Sequence, residues 1–514
     1  MSAGDEDLPR PILPAGGPSW PLHAAAASRR IEQEAAAALP PHTLMRRAGA
    51  AVARLALAVA PHAQRIWVAA GPGNNGGDGL QAAALLHRAG SKQVQVSLLG
   101  DPTRLPPDAR DALQTAREAG VPITDQPGPA GPVDLAIDAL LGLGSSRAPD
   151  GAIGEAVRGL NGRGAPVLAI DLPSGLDADH GALFGALAVR ADHTLSLLTL
   201  KPGLFTGLGR DHAGRVWFSS LGVPAAPPPD AWLAGRESAE ALTPTRRHAQ
   251  HKGSFGDVVV VGGAPGMAGA VWLAARAALA AGAGRVYVDP LGDAAAALQV
   301  PELMCRPGWA REQPQVLTRS TVVCGCGGGQ AVAAVLPQVL QHAARLVLDA
   351  DGLNAVAADA GLQALLAARL AHGQPTLLTP HPLEAARLLG TDVASVQQDR
   401  CGAAAQLAQR MACAVLLKGS GTVCAAPAGP IHLNPTGNAL LGTAGTGDVL
   451  AGWAGGCWAQ CPAGQDAEPL QRALQVGVAA AWWHGWAADL AARAGRRAPL
   501  TATALIDAMA APGL

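Results

Sequence analysis

One rhythm governs this 514-residue chain and limits what it can fold into. Short β-branched or apolar runs end in glycine- or aspartate-rich turns and alternate with longer Ala/Leu-rich stretches of helical character. That alternation is the pattern of βαβ units, in which parallel strands form a sheet covered by helices. In the first half the strand runs fall at residues 66–70, 94–99, 135–139, 167–171 and 194–198, with helices such as "LQAAALLHRAG" and "DARDALQTAREAG" between them. Between Leu221 and Thr245 the rhythm dissolves into a proline-rich stretch, "GVPAAPPPDAWLAGRESAEALTP". A fresh series then opens with "DVVVVGG", "RVYVD", "TVVCGCGGG", "ARLVLDADGLN", "PTLLTPHPLE" and "AVLLKGSGTV". The sequence predicts an α/β protein of two three-layer αβα domains, at residues 25–222 and 245–514. A flexible segment over 1–24 precedes them and a proline-rich linker over 223–244 joins them.

Composition narrows the partners. With 49% hydrophobic and 15% charged residues the chain can bury two large cores. Its net charge of −1, without a long Lys/Arg run, leaves no electrostatic footprint for nucleic acid or an anionic membrane. The opening "MSAGDEDLPRPILPAGG" lacks the basic segment and apolar core of a secretion signal, and no apolar run reaches membrane-spanning length. The eight cysteines show no CxxC spacing. A cytoplasmic protein with reduced thiols, acting on small molecules, is expected.

In open parallel sheets, ligands bind beyond the carboxyl ends of the strands. The first domain offers four such places. "GPGNNGGDGL" (71–80) sets Asp78 among glycines whose amides suit an anion. Asp138 ends a strand ahead of a second glycine-rich turn, "DLPSGLDAD" brings Asp171 and Ser174, and Lys201 follows the fifth strand. Asn-Gly and Gly-Asp pairs are ordinary turn formers, and one Asp could merely cap a helix. Three carboxylates, two asparagines and a hydroxyl on one rim instead suit a hard cation beside a phosphate. The loop lacks GxGxxG spacing, which disfavours ordinary hydride transfer.

In the second half, "NPTGNALLGTAGTGDVLAG" places Gly442, Gly445 and Gly447 just before Asp448 and an apolar helix-like stretch. Amides gathered at such a helix start stabilise developing negative charge, and a carboxylate there can accept a proton from a hydroxyl. Lys418, in "LLKGSGTV", is suited to cover nucleotide phosphates. Neither loop is a P-loop, yet the pair points to phosphoryl transfer. His381 in "TPHPLE" reads equally as a turn histidine or a ligand contact.

In order and spacing, "GPGNNGGDGL", "DALLGLG", "DLPSGLD" and "LTLKPGL" resemble the NAD(P)HX epimerase domain, also called the YjeF N-terminal domain, which is Rossmann-like. "HKGSFGDVVVVGGAPGMAGA", "TPHPLEAARLLG", "LLKGSGTV" and "NALLGTAGTGDVLAG" resemble the NAD(P)HX dehydratase domain of the ribokinase-like superfamily. Together, over residues 25–510, they resemble the bacterial bifunctional NAD(P)H-hydrate repair family. The resemblance implies epimerisation of R- and S-NADHX and NADPHX, and dehydration of the S form to NADH or NADPH at the expense of ADP with Mg2+. It implies epimerase contacts from Asn74, Asn75, Gly76, Gly77, Asp78, Gly142, Leu143, Gly144, Ser145, Ser146, Arg147, Ala148 and Asp171. Asp171, ahead of Lys201, is the choice for proton transfer, and Asn75, Asp138 and Ser174 would hold K+. For the dehydratase it implies substrate contacts from Ala270, Gly327, His381 and Asp448, with Asp448 as base. Lys418, Gly419, Ser420, Gly421, Thr422 and Gly447 would meet the nucleotide. The chain departs from the family pattern at "GCGGG" (325–329), where the family has GPGLG, and at "GLG" (142–144), where it has GTG. A homo-oligomer is expected. The alternative is a vitamin or sugar kinase of ribokinase-like type carrying a non-catalytic N-terminal binding domain.

Overall fold

The computed structural model describes residues 8–13, 17–90, 92–224, 228–242, 245–292, 300–462 and 468–511. The chain divides into two compact units, Met1–Leu13 with Pro21–Ala231, and Pro14–Trp20 with Trp232–Leu514.

In the first unit the apolar runs pair into one sheet. From edge to edge its order is Arg10–Pro11, Arg215–Ser219, His193–Leu197, Val167–Ile170, Leu135–Ala139, Arg65–Ala70, Gln93–Leu98 and Ile123–Thr124. All neighbours run parallel except the Arg10–Pro11 edge. Strand Arg65–Ala70 is buried on both faces: Ile66, Val68 and Ala70 join one core, Trp67 and Ala69 the other. Such two-sided burial is why these strands read as continuous apolar runs and not as alternating ones. After Arg65–Ala70 the chain adds Gln93–Leu98 and Ile123–Thr124 on one side, then returns to place Leu135–Ala139 on the other. The crevice between Arg65–Ala70 and Leu135–Ala139 is therefore a topological switch point.

The second unit repeats this winding with another order: Met304–Cys305, Arg285–Pro290, Asp257–Gly262, Thr321–Cys324, Arg345–Leu348, Thr376–Leu378, Ala414–Leu417, Val423–Ala425, Ile431–Leu433 and Ala231–Leu233. The first seven are parallel, and the sheet turns antiparallel from Ala414–Leu417 to Val423–Ala425 and Ile431–Leu433. Its switch point lies between Asp257–Gly262 and Thr321–Cys324. Helix Thr446–Ala459 packs on helix Ala268–Ala280 almost backbone to backbone: a Cβ on Gly452 would lie 2.0 Å from the Ala274 carbonyl oxygen. Helix Pro469–Arg493 carries the aromatic cluster of Trp482, Trp483 and Trp486, with ring centroids 5.0 and 5.8 Å from Trp482.

Within the segment expected to be flexible, Arg10–Pro11 and Trp20–Leu22 form short strands, while residues 1–7 and 14–16 lie outside the described residues. The expected linker likewise contains strand Ala231–Leu233 and helix Arg236–Glu240, with 225–227 and 243–244 outside the described residues. Proline content hid these elements because each is only a few residues long and takes its order from neighbouring strands. Among the described residues, no helix is long and apolar enough to cross a membrane.

Candidate active sites

In each unit, two loops meet at the switch point because a glycine there lacks a Cβ. A Cβ on Gly71 would sit 1.8 Å from the Leu140 carbonyl oxygen, and one on Gly262 would sit 2.2 Å from that of Cys326. No side chain fits at either position, so the loops touch, and in the first unit a cavity opens beside Pro72, Gly73 and Leu140.

In the first unit, helix Asn74–Arg88 begins inside "GPGNNGGDGL", so Asn74 to Asp78 occupy its first turns and not a free loop. Above it lies a cavity of about 800 Å³ lined by Asn74, Asn75, Asp78, Asp171 and the turn from Gly142 to Ala148. Gly76 and Gly77 are buried behind this wall, where a Cβ would strike the Gly71 carbonyl oxygen or Met45. Asp171 leaves its strand at φ 65°, a left-handed conformation uncommon for a residue with a side chain. Its Oδ1 pairs with the Nζ of Lys201 and accepts the Leu197 N–H at 3.2 Å. Lys201, 1% exposed, also donates to the carbonyls of Leu197 (2.8 Å) and Thr199 (2.9 Å). Burial first, and then the neighbouring Asp171, Glu32 and Asp108, push the Asp78 carboxyl well above the usual range.

Asp138 and Ser174 sit below the cavity floor. The Asp138 carboxylate accepts the Ser174 N–H (2.8 Å), the Ser174 Oγ–H (2.6 Å) and the Leu140 N–H (3.2 Å). Burial nonetheless raises its pKa to about 6 against those hydrogen bonds. Asn75 is 9% exposed, and its Nδ2 finds no partner.

Inspection of strand ends alone missed the helix Ala25–Ala38, which lines the cavity with Arg29 and Glu32. Arg29 donates to the Leu143 carbonyl. Burial, with Asp171 second, raises the Glu32 pKa. Their signal in the sequence, two charges three positions apart in an Ala-rich helix, is too common to mark a site.

In the second unit, helix Thr446–Ala459 starts from Gly445 in the left-handed conformation and carries Asp448 in its first turn. Burial, and next the nearby Asp349, raise the Asp448 pKa to about 6, while a hydrogen bond from Cys326 and the charge of Lys418 pull the other way. Lys418 donates to Asp349 Oδ1 at 2.7 Å and stands 4.0 Å from Glu384. Burial opposes its charge, but the two carboxylates outweigh that and raise its pKa. A Cβ on Gly447 would lie 3.4 Å from the Lys418 ammonium, so this lysine reaches the helix start from the turn that continues through Gly419, Ser420, Gly421 and Thr422. Ala270 and Gly327 adjoin: a Cβ on Gly327 would come 2.7 Å from that of Ala270.

His381 proves to be a helix cap. Its Nδ1 accepts the N–H groups of Leu383 (3.1 Å) and Glu384 (3.4 Å), and Glu384 returns the contact by accepting the His381 N–H at 2.7 Å. Burial, with Lys418 next, lowers its pKa. Glu384, itself 4% exposed, has its pKa raised to about 7 by burial, against the pull of Lys418. Asp349, Glu384 and His484, whose Nε2 contacts the Thr446 carbonyl at 2.9 Å, are site neighbours that motif reading did not find.

Two doubly wound α/β units, each with ionisable groups gathered at its switch point, have the architecture of a two-domain enzyme. Residues 41–203 match the family model described as YjeF-related protein N-terminus, and 258–510 match that described as NAD(P)H-hydrate dehydratase. The chain is similar to the bifunctional NAD(P)H-hydrate repair enzyme Nnr of Escherichia coli K12, 39% identical over 92% of this chain and 90% of the relative. It is also similar to the bifunctional NAD(P)H-hydrate repair enzyme of Leishmania braziliensis, 38% identical over 91% of this chain and 87% of the relative. A solved structure of ADP/ATP-dependent NAD(P)H-hydrate dehydratase from Bacillus subtilis, co-crystallised with ATP/Mg2+, is 25% identical, with a TM-score of 0.41 over 53% of this chain and 95% of that one. The chain belongs to the bifunctional NAD(P)H-hydrate repair enzyme family.

Proposed function

We propose that this chain repairs hydrated nicotinamide cofactors. Its first unit interconverts the R and S epimers of NADHX and NADPHX, and its second dehydrates the S form to NADH or NADPH while ADP becomes AMP and phosphate. The observation that carries this reading is Asp448, half-buried in the first turn of a helix with Lys418 beside it. A carboxylate with its pKa raised to about 6 is a base poised near neutral pH. It takes the proton of the hydrate hydroxyl as that oxygen bonds the terminal phosphorus of ADP and AMP departs. Lys418 and the helix amides offset the charge gathering on the transferred group. The C–O bond then breaks, phosphate leaves with the bonding pair, and loss of a proton from the adjacent carbon restores the ring double bond. Mg2+ would accompany the nucleotide and neutralise phosphate charge when bound.

In the first unit, Asp171 faces the cavity with Lys201 behind it and is the group that moves the proton at the epimerised centre. Asn75, Asp138 and Ser174 would hold K+. The oxygens suit a hard cation: the buried Asp138 carboxylate, the Ser174 hydroxyl and, from Asn75, the amide oxygen, since its Nδ2 carries hydrogens and cannot coordinate. The ion would supply a fixed positive charge near the cofactor phosphates.

Incubating the S hydrate with ADP and following the return of reduced-nicotinamide absorbance tests the proposal. No recovery by folded protein overturns it, and a phosphorylated product that accumulates would reassign the chain to the kinases.

A further inference from the structure

Three donor atoms from three separate segments meet at the floor of the second site. The thiol of Cys326, a carboxylate oxygen of Asp349 and one of Asp448 all lie within 4.8 Å of one another. Among the described residues, no other set of three His, Cys, Asp or Glu side chains comes as close. Cys326 is fully buried, Asp349 is 1% exposed, and Asp448 remains half-buried, which leaves an approach from its side.

The donors are fixed before anything binds. Asp349 uses its Oδ1 for Lys418 (2.7 Å) and for the hydroxyl of Thr379 (2.9 Å), which turns its Oδ2 toward the Cys326 sulfur 3.9 Å away. The Cys326 backbone is fixed in turn by its close contact with Gly262. A tetrahedral ion with metal–sulfur and metal–oxygen bonds of about 2.3 and 2.0 Å sets its ligands roughly 3.5 Å apart, so closing on an ion requires small side-chain shifts. One thiol with two carboxylates is too few and too soft a set for Mg2+ or Ca2+, which seek six or more oxygens.

We propose that Cys326, Asp349 and Asp448 form a binding site for one thiophilic divalent cation of the zinc class, and that its occupation shuts the second active site. Binding joins sulfur and two carboxylate oxygens to the ion, and the thiol proton leaves to solvent. Asp448 is then engaged and unable to accept a proton from substrate. The first unit has no part in the site, so the two activities separate under the same metal.

The test uses the full chain without nucleotide, titrated with Zn2+ against a chromophoric zinc indicator, and with Co2+ as a spectroscopic stand-in. The native chain should bind one tight equivalent more than Cys326→Ser and show a thiolate-to-cobalt charge-transfer band that the variant lacks. With ADP and Mg2+ saturating, the Zn2+ concentration that halves dehydration should rise at least about ten-fold in Cys326→Ser, with epimer exchange unmoved in both. Equal zinc uptake by the two proteins, or equal inhibition, overturns the proposal. Asp448→Asn keeps the thiol but removes the base, so if thermal melting shows Cys326→Ser unfolded it replaces that variant in the indicator titration, where it should bind Zn2+ more weakly than the native chain; equal uptake there overturns the proposal. The indicator and cobalt measurements need no hydrate, so they stand apart from the repair reaction.

Discussion

Asp448 and Glu384 both feel the charge of Lys418 in the second site, and their environments give them different consequences. Asp448→Asn should lower the dehydration rate about 100- to 10,000-fold, the usual worth of a positioned base, with epimer exchange unchanged. Because its pKa is raised to about 6, the rate should fall as pH drops below that value, where protonation removes the base; a pH profile of the dehydratase alone checks this. Glu384 is a stability question. Its folded pKa of about 7 lies above the ordinary 4.5, so the native state keeps the proton that the unfolded chain gives up. That contribution is complete below pH 4.5 and is lost as pH rises through 7, a swing on the order of 3 kcal/mol. Glu384→Gln should therefore gain in melting temperature relative to the native chain between pH 5 and pH 7.5. A parallel course across that range would exclude this role. The two residues also differ in how openly the sequence shows them. Asp448 follows a crowd of glycines and is legible; Glu384 and Asp349 sit in ordinary strand-end and helix-cap contexts and gain meaning only when Lys418 arrives from a later strand. The sequence reads His381 equally as a turn histidine or a ligand contact, and its cap hydrogen bonds are visible in the structure alone.

At the scale of elements, the two switch points depend on close loop contact. Gly71→Ala places a methyl group on the Leu140 carbonyl and should cost roughly 1–3 kcal/mol with at least a ten-fold loss of epimer exchange, while dehydration persists. Gly262→Ala, pressing on Cys326, should give the reverse pattern. Thermal melting together with the two separate assays would reveal both outcomes, and loss of both activities in either variant would contradict the independence of the sites. The strands themselves were easy to read because parallel strands buried on both faces are unbroken apolar runs; the predicted 135–139 run is Leu135–Ala139, and 194–198 differs from His193–Leu197 by one residue at each end. What composition concealed were the two- and three-residue strands at the sheet edges and the wall formed by helix Ala25–Ala38. Those elements are specified by what they pack against, and a helical period alone does not say which cavity its polar face will line.

For the molecule as a whole, an equal mixture of hydrate epimers supplied with ADP should be recovered completely as reduced cofactor. Asp171→Ala should stop the recovery at roughly half while spontaneous exchange is slow, because the second unit consumes a single epimer. Complete recovery at the native rate by that variant would remove Asp171 from the proposed epimerase. The aromatic cluster on helix Pro469–Arg493 bears on how such variants can be watched. Of the eleven tryptophans, Trp67 and Trp217 fall in the first unit and the other nine, with the lone Tyr287, in the second. Intrinsic ultraviolet emission is thus overwhelmingly a signal from the dehydratase half. An epimerase domain that has melted would leave the spectrum almost native, and a healthy fluorescence trace would say little about half of the enzyme.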